Sequence, residues 1–172
     1  MKKYICILAT LIGCTFTVCS CKKNSGSSRQ YYVKFNENGS TIEIDNAAEM
    51  FTSGFGSGYS YAINGYNTEM NPTPPMLNIV INNQSSLSPG ITYTEAGYSG
   101  HASTMGYIKS QLDAYSTPAT PPGTAPYLRI TFTNITGDYV SGNFEGILYS
   151  QTVSPTPALL NITNGTFVAK RK

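Results

Sequence analysis

From Tyr31 to its end the chain repeats a two-residue alternation of apolar and polar side chains, broken by Gly, Pro and Asn. Tyr31, Val33 and Phe35 alternate with Tyr32 and Lys34. After Asn38-Gly39, Ile42 and Ile44 alternate with Thr41, Glu43 and Asp45. Successive side chains of a strand point to opposite faces, so this period builds half-buried strands, and Asn-Gly accepts the positive φ angles of a tight hairpin turn. The pattern returns at Tyr59, Tyr61 and Ile63, at Leu77, Ile79 and Ile81, at Ile91 and Tyr93, and at Leu128, Ile130 and Phe132. Strands are also expected over Val140–Leu148 and Leu160–Val168, the latter with a turn at Asn164-Gly165. Gly142 and Gly146 flank Phe144 on one face, which predicts a bulge or a close backbone approach. In Tyr107–Tyr115, Ile108, Leu112 and Tyr115 fit helical spacing, but the short run among strands favours a strand with Tyr107, Lys109, Gln111 and Asp113 on one face. Asn46–Phe51 reads as one helical turn capped by Asp45 or Asn46. Ser116–Pro126 holds four prolines and is expected as a long loop. Strands joined by short turns, with hardly any helix, predict an all-β domain over 31–172: a single antiparallel β-sandwich, with a β-barrel as the alternative.

A different grammar governs the first thirty residues. Met1-Lys2-Lys3 is a short cationic start, and Ile5–Val18 is a mostly apolar stretch of 14 residues, below the ~20 that a membrane-spanning helix needs. It ends in Val18-Cys19-Ser20-Cys21, followed by a Ser/Gly-rich tether through Gln30 that cannot build a core. These residues resemble a bacterial lipoprotein signal, whose lipobox runs aliphatic, variable, small, Cys. The resemblance implies removal of residues 1–20 and a diacylglycerol on the Cys21 sulfur, with the membrane as the first partner. All four cysteines (Cys6, Cys14, Cys19 and Cys21) lie in this segment. The domain after it therefore has no disulfide, no thiolate nucleophile and no Cys-ligated zinc.

The C-terminal third carries a second resemblance. Leu128-Arg129-Ile130-Thr131-Phe132-Thr133, then Ser141-Gly142-Asn143-Phe144-Glu145-Gly146-Ile147-Leu148, then Thr163-Asn164-Gly165-Thr166-Phe167 are similar to segments of uncharacterised Bacteroidota-type lipoproteins. Pro89-Gly90-Ile91 with Tyr93 is similar to one of their strand starts. The resemblance covers about half of the chain after Cys21, and its motifs are structural. It implies a β-sandwich lipoprotein and transfers no active site. Export to the cell surface in that lineage goes with acids after the lipid Cys. Lys22-Lys23 here imply an outer-membrane protein facing the periplasm.

Candidates for chemistry are few. His101, the only histidine, follows Gly97-Tyr98-Ser99-Gly100, where a nucleophile elbow would have Gly in its place, so it reads as a loop residue. Gly54-Phe55-Gly56-Ser57-Gly58 lacks the Lys-Ser/Thr of a phosphate loop and reads as a flexible loop. Glu43, Asp45, Glu49, Asp138 and Glu145 match no calcium-loop spacing and read as solubilising acids. No metal or cofactor is expected, and the chain is expected not to be an enzyme. Asn134, Asn161 and Asn164 begin Asn-x-Ser/Thr triplets, which beside a bacterial lipobox are composition only.

Tyrosine is the abundance that stands out, with 13 residues and no Trp. Tyr59, Tyr61, Tyr66, Tyr93, Tyr98 and Tyr107 bracket loops rich in Asn, Gly and Ser. Apolar rings with hydrogen-bonding tips suit a glycan or peptide. The formal charge of +2 hides its distribution, because eight of the eleven Lys and Arg lie near the ends. Between Gln30 and Ala169 three cations face nine acids, a net of −6, which excludes a basic nucleic-acid-binding domain. Lys170-Arg171-Lys172 read as a cationic tail. The expected function is a lipid-anchored cell-envelope protein with a non-enzymatic structural or interaction role. The alternative is a Tyr-lined module for a glycan or protein partner.

Overall fold

The computed structural model describes residues 30–45, 47–67, 73–97, 101–118, 127–151 and 158–172. Cys21, Tyr98 and most of the proline-rich segment lie outside the described residues. Eleven strands and no helix occur among them. One layer is formed, in spatial order, by β2 (Ser40–Ile44), β1 (Tyr32–Glu37), β11 (Leu159–Arg171), β10 (Tyr139–Ser150), β9 (Leu128–Ile135) and β6 (Thr92–Thr94). The other is formed by β3 (Ala47–Phe55), β4 (Gly58–Tyr66), β5 (Met76–Asn83), β7 (Thr104–Ile108) and β8 (Ala114–Ser116). The architecture is all-β and sandwich-like.

The core is built from the predicted inward rows. Val33 and Phe35, Leu77, Ile79 and Ile81, and Leu128, Ile130 and Phe132 are all buried and meet between the layers. The Phe35 ring of one layer stands edge-on to Tyr107 of the other, with centroids 5.2 Å apart. Each such side chain contributes about 1.5–3 kcal/mol by leaving water, and the edge-on pairing adds to that.

Two short junctions stitch the layers together. Lys170 and Arg171 pair with Glu49 and Met50, and Tyr149 and Ser150 pair with Ser116 and Tyr115. Since β10 also pairs with β11, hydrogen bonds pass unbroken from β11 through β3, β4, β5, β7, β8 and β10 back to β11. The β11–β3 junction is parallel, so the sheet system is mixed and not purely antiparallel. Lys170-Arg171-Lys172 are not a free tail. Arg171 Nη1 donates to the Thr136 carbonyl at 2.6 Å, and Lys172 Nζ lies 2.6 Å from Glu49.

Four local expectations are corrected. Ala47–Phe51 belong to β3, because β3 pairs with β4 residue by residue from Ala47↔Tyr66 to Phe55↔Gly58. Tyr107–Tyr115 is a hairpin: β7 ends at Ile108, the Lys109 and Ser110 amides donate to the Asp113 carbonyl, and β8 returns. Of the Gly54–Gly58 run only Gly56-Ser57 turn, between paired Phe55 of β3 and Gly58 of β4, with Gly56 at φ 52°. Asn164-Gly165 is not a turn. β11 runs straight through it as a bulge with Asn164 at φ 51°, and the register slips at this point against both β1 and β10.

Other details follow the sequence. Asn38 and Gly39, at φ 46° and 90°, close the β1–β2 hairpin between paired Glu37 and Ser40. The glycines beside Phe144 allow close approach: a Cβ on Gly142 would stand 2.3 Å from the Thr131 carbonyl oxygen, and one on Gly146 would stand 2.1 Å from Met105.

Candidate functional site

The outer face of the larger layer carries a row of side chains that crosses all six strands. In register it reads Thr92 on β6, Thr131 on β9, Asn143 on β10, Thr166 on β11, Lys34 on β1 and Glu43 on β2. Strand alternation places these residues outward, because their neighbours Ile130, Phe132, Phe144, Phe167, Val33 and Phe35 point into the core. The Thr92 and Thr131 hydroxyls are hydrogen-bonded at 2.8 Å. The bulge at Asn164-Gly165 lies beside the row, and the surface there is concave.

The concavity has a volume of about 460 Å³ and is walled by Thr92, Arg129, Asn143, Glu145, Asn164 and Thr166, with Phe144 beneath. It continues in both directions. Beyond Arg129 and Glu145 lies a bay of about 250 Å³ reaching Asn161 and Thr163. Beyond Thr92 lies a cleft of about 400 Å³ with Asn82, Asn83, Ser85, Ser88 and Tyr93. The first space, in the size range of small-ligand sites, shares Arg129 and Glu145 with the second and Thr92 with the third. Asn82 and Asn83 of the third come from β5 of the other layer, and the three are termed the groove. Its charges face each other: Arg129 Nε lies 3.7 Å from Glu145, and Lys34 Nζ lies 3.9 Å from Glu43 at the end of the row.

The predicted tyrosines do not form one platform. Tyr61 and Tyr107 are buried core residues, which removes them from any exposed patch. Burial pushes the Tyr61 hydroxyl above its ordinary pKa. Tyr59 is exposed and its ring lies 6.0 Å from that of Tyr61. Tyr66 and Tyr107 line a mainly apolar bay of about 340 Å³ on the smaller layer, with Met76, Ile108 and Tyr115. Of these tyrosines, among the described residues, Tyr93 alone borders the groove; its hydroxyl accepts from the Ser88 amide at 2.8 Å, and its ring packs edge-on against Phe132.

Two acids have left solvent. Glu37 is 7% exposed and Glu49 is 5% exposed, and each is held by a tyrosine and a lysine. Tyr107 Oη donates to Glu37 at 3.1 Å, and Lys109 Nζ donates to it at 2.6 Å. Tyr66 Oη donates to Glu49 at 2.7 Å, with Lys172 on its other oxygen. Burial alone would push Glu49 up, but hydrogen bonds from Lys172 and Tyr66 and the nearby Lys172 and Lys170 charges outweigh it and hold Glu49 below its ordinary value of 4.5. The hydrogen bond and charge of Glu37 raise Lys109. Burial and then Glu37 raise Tyr107 strongly. Each clasp joins the two layers, so these groups hold the sandwich shut.

Sequence reasoning missed the Thr/Asn row because each member is an ordinary outward strand residue, and only registry across four strands aligns them. Glu37 carried a signal: it falls on the same inward parity as Val33 and Phe35. His101 is exposed, and among the described residues no three His, Cys, Asp or Glu side chains gather as a metal ion would require. Compared with protein families, curated proteins and solved structures, the chain matches none.

Proposed function

We propose that the protein is a lipid-anchored, non-enzymatic module of the bacterial cell envelope that works by non-covalent binding along the groove of the larger layer. Val18-Cys19-Ser20-Cys21 supports the anchor, and Lys22-Lys23 support an orientation towards the periplasm. The observation that carries the binding reading is that the central concavity shares Arg129 and Glu145 with one neighbouring space and Thr92 with another. A long polar groove supplies many weak, directional contacts to an extended partner.

The test is a photo-crosslinking amino acid placed at Asn143 in the full-length protein in cells, with Asn78 on the smaller layer as the comparison site. A heavier adduct is expected from position 143 and none from position 78. Illumination that yields no adduct at 143, or equal adducts at both positions, overturns the reading.

A further inference from the structure

We infer that the groove is a subsite array for an uncharged oligosaccharide lying across the strands, an assignment that rests on the binding reading above. The lining is the first argument. Thr92, Thr131, Asn143 and Thr166 offer hydroxyls and an amide, groups that both donate and accept. Sugar hydroxyls make the same demand, whereas a phosphate or carboxylate only accepts and an ammonium only donates.

The charges are the second argument. Arg129 faces Glu145 and Lys34 faces Glu43, so each charge in or beside the groove already has its opposite nearby. Opposite charges set side by side on an exposed surface leave little net field, so the groove offers an ionic ligand no electrostatic attraction. A neutral ligand needs none.

Spacing is the third. Residues facing one another on neighbouring strands repeat at roughly 4.8 Å across a sheet. A pyranose unit in an extended β-linked chain advances by about the same distance. The three steps from Thr92 to Thr166 span roughly 14 Å, room for an oligosaccharide to meet one polar side chain per sugar. Tyr93, half-buried in the adjoining cleft, gives apolar surface for the C–H face of a ring.

The experiment titrates the full chain in detergent micelles with cellohexaose, laminarihexaose and N-acetylchitohexaose by calorimetry. Hexagalacturonate serves as the anionic comparison. At least one neutral hexamer is expected to bind, and Thr131→Val combined with Asn143→Leu is expected to weaken it about tenfold or more. Both positions lie on the outer sheet face, so the thermal midpoint should hold. Thr131→Ser, which keeps the hydroxyl, should retain the affinity. The inference is overturned if no neutral hexamer binds, if binding survives the double substitution, or if hexagalacturonate binds best. Adducts at position 143 in cells together with a silent neutral panel overturn the sugar assignment and leave the binding reading standing.

Discussion

Glu49 shows how one residue's surroundings set its part in stability. Its pKa is depressed in the folded chain. The stabilisation it contributes is therefore complete above about pH 4.5, its ordinary value, and is lost as pH falls through the depressed one. Lys109 has the opposite sign: its contribution is complete below its ordinary 10.5 and is lost as pH rises through the raised value. Thermal unfolding followed by circular dichroism from pH 7 to pH 3 should show Glu49→Gln starting lower than the parent and losing less on acidification. Parallel acid limbs would refute this. Lys109→Met leaves Glu37 with Tyr107 alone and should cost about 1–3 kcal/mol in urea unfolding at neutral pH. Glycine offers a sharper contrast. Gly142→Ala drives a methyl into the Thr131 carbonyl and the Phe167 ring and should cost about 1–3 kcal/mol or more. A Cβ on Gly54 meets nothing within 4 Å, so Gly54→Ala should be close to neutral. Equal costs for the two alanines would mean that the packing around Gly142 relaxes freely.

Among the elements, β11 does most to organise the fold. It lies between β1 and β10 and reaches β3 with its last residues. Deleting Lys170–Lys172 removes the parallel junction, the Arg171 bond to Thr136 and the Lys172 partner of Glu49. The loss should be about 2–4 kcal/mol. Amide exchange on β3 should accelerate near Glu49 and Met50, while exchange on β9 stays slow. Unchanged protection at Met50 would show that the junction carries no load.

The elements also show what a sequence makes legible. Val33 with Phe35, Leu77 with Ile79 and Ile81, and Leu128 with Ile130 and Phe132 are readable because parity is a local property. The β1–β2 turn is readable because Asn38-Gly39 admits few other conformations. The same pair of residue types at Asn164-Gly165 makes a bulge, since β1 and β10 hold β11 on both sides and leave no room for the chain to reverse. Ala47-Ala48-Glu49-Met50 has local helix preference, and pairing with β4 overrides it. The β7–β8 hairpin hides because its turn, Lys109 to Asp113, contains neither Gly nor Pro. The groove was the least legible part: its Thr/Asn row joins residues from four strands, and no window of sequence contains it.

For the whole molecule, the reading divides into an anchor, a tether and a two-layer domain. Cys21→Ala should move the protein from the membrane to the soluble fraction on ultracentrifugation. Continued sedimentation with membranes would refute the lipid anchor. Protease added to intact cells should leave the domain uncut, with digestion only after the outer membrane is permeabilised. Digestion of intact cells would place the domain on the outer surface.

The order of synthesis has a consequence of its own. Val33, near the start of the domain, pairs with Phe167, near its end, and the strand that fills the middle of the larger layer is the last to be made. Until it emerges, β1–β2 and β9–β10 have no common neighbour, and pairing this distant in sequence is slow. The two halves of the larger layer therefore stay apart until β11 joins them, and its arrival closes the layer.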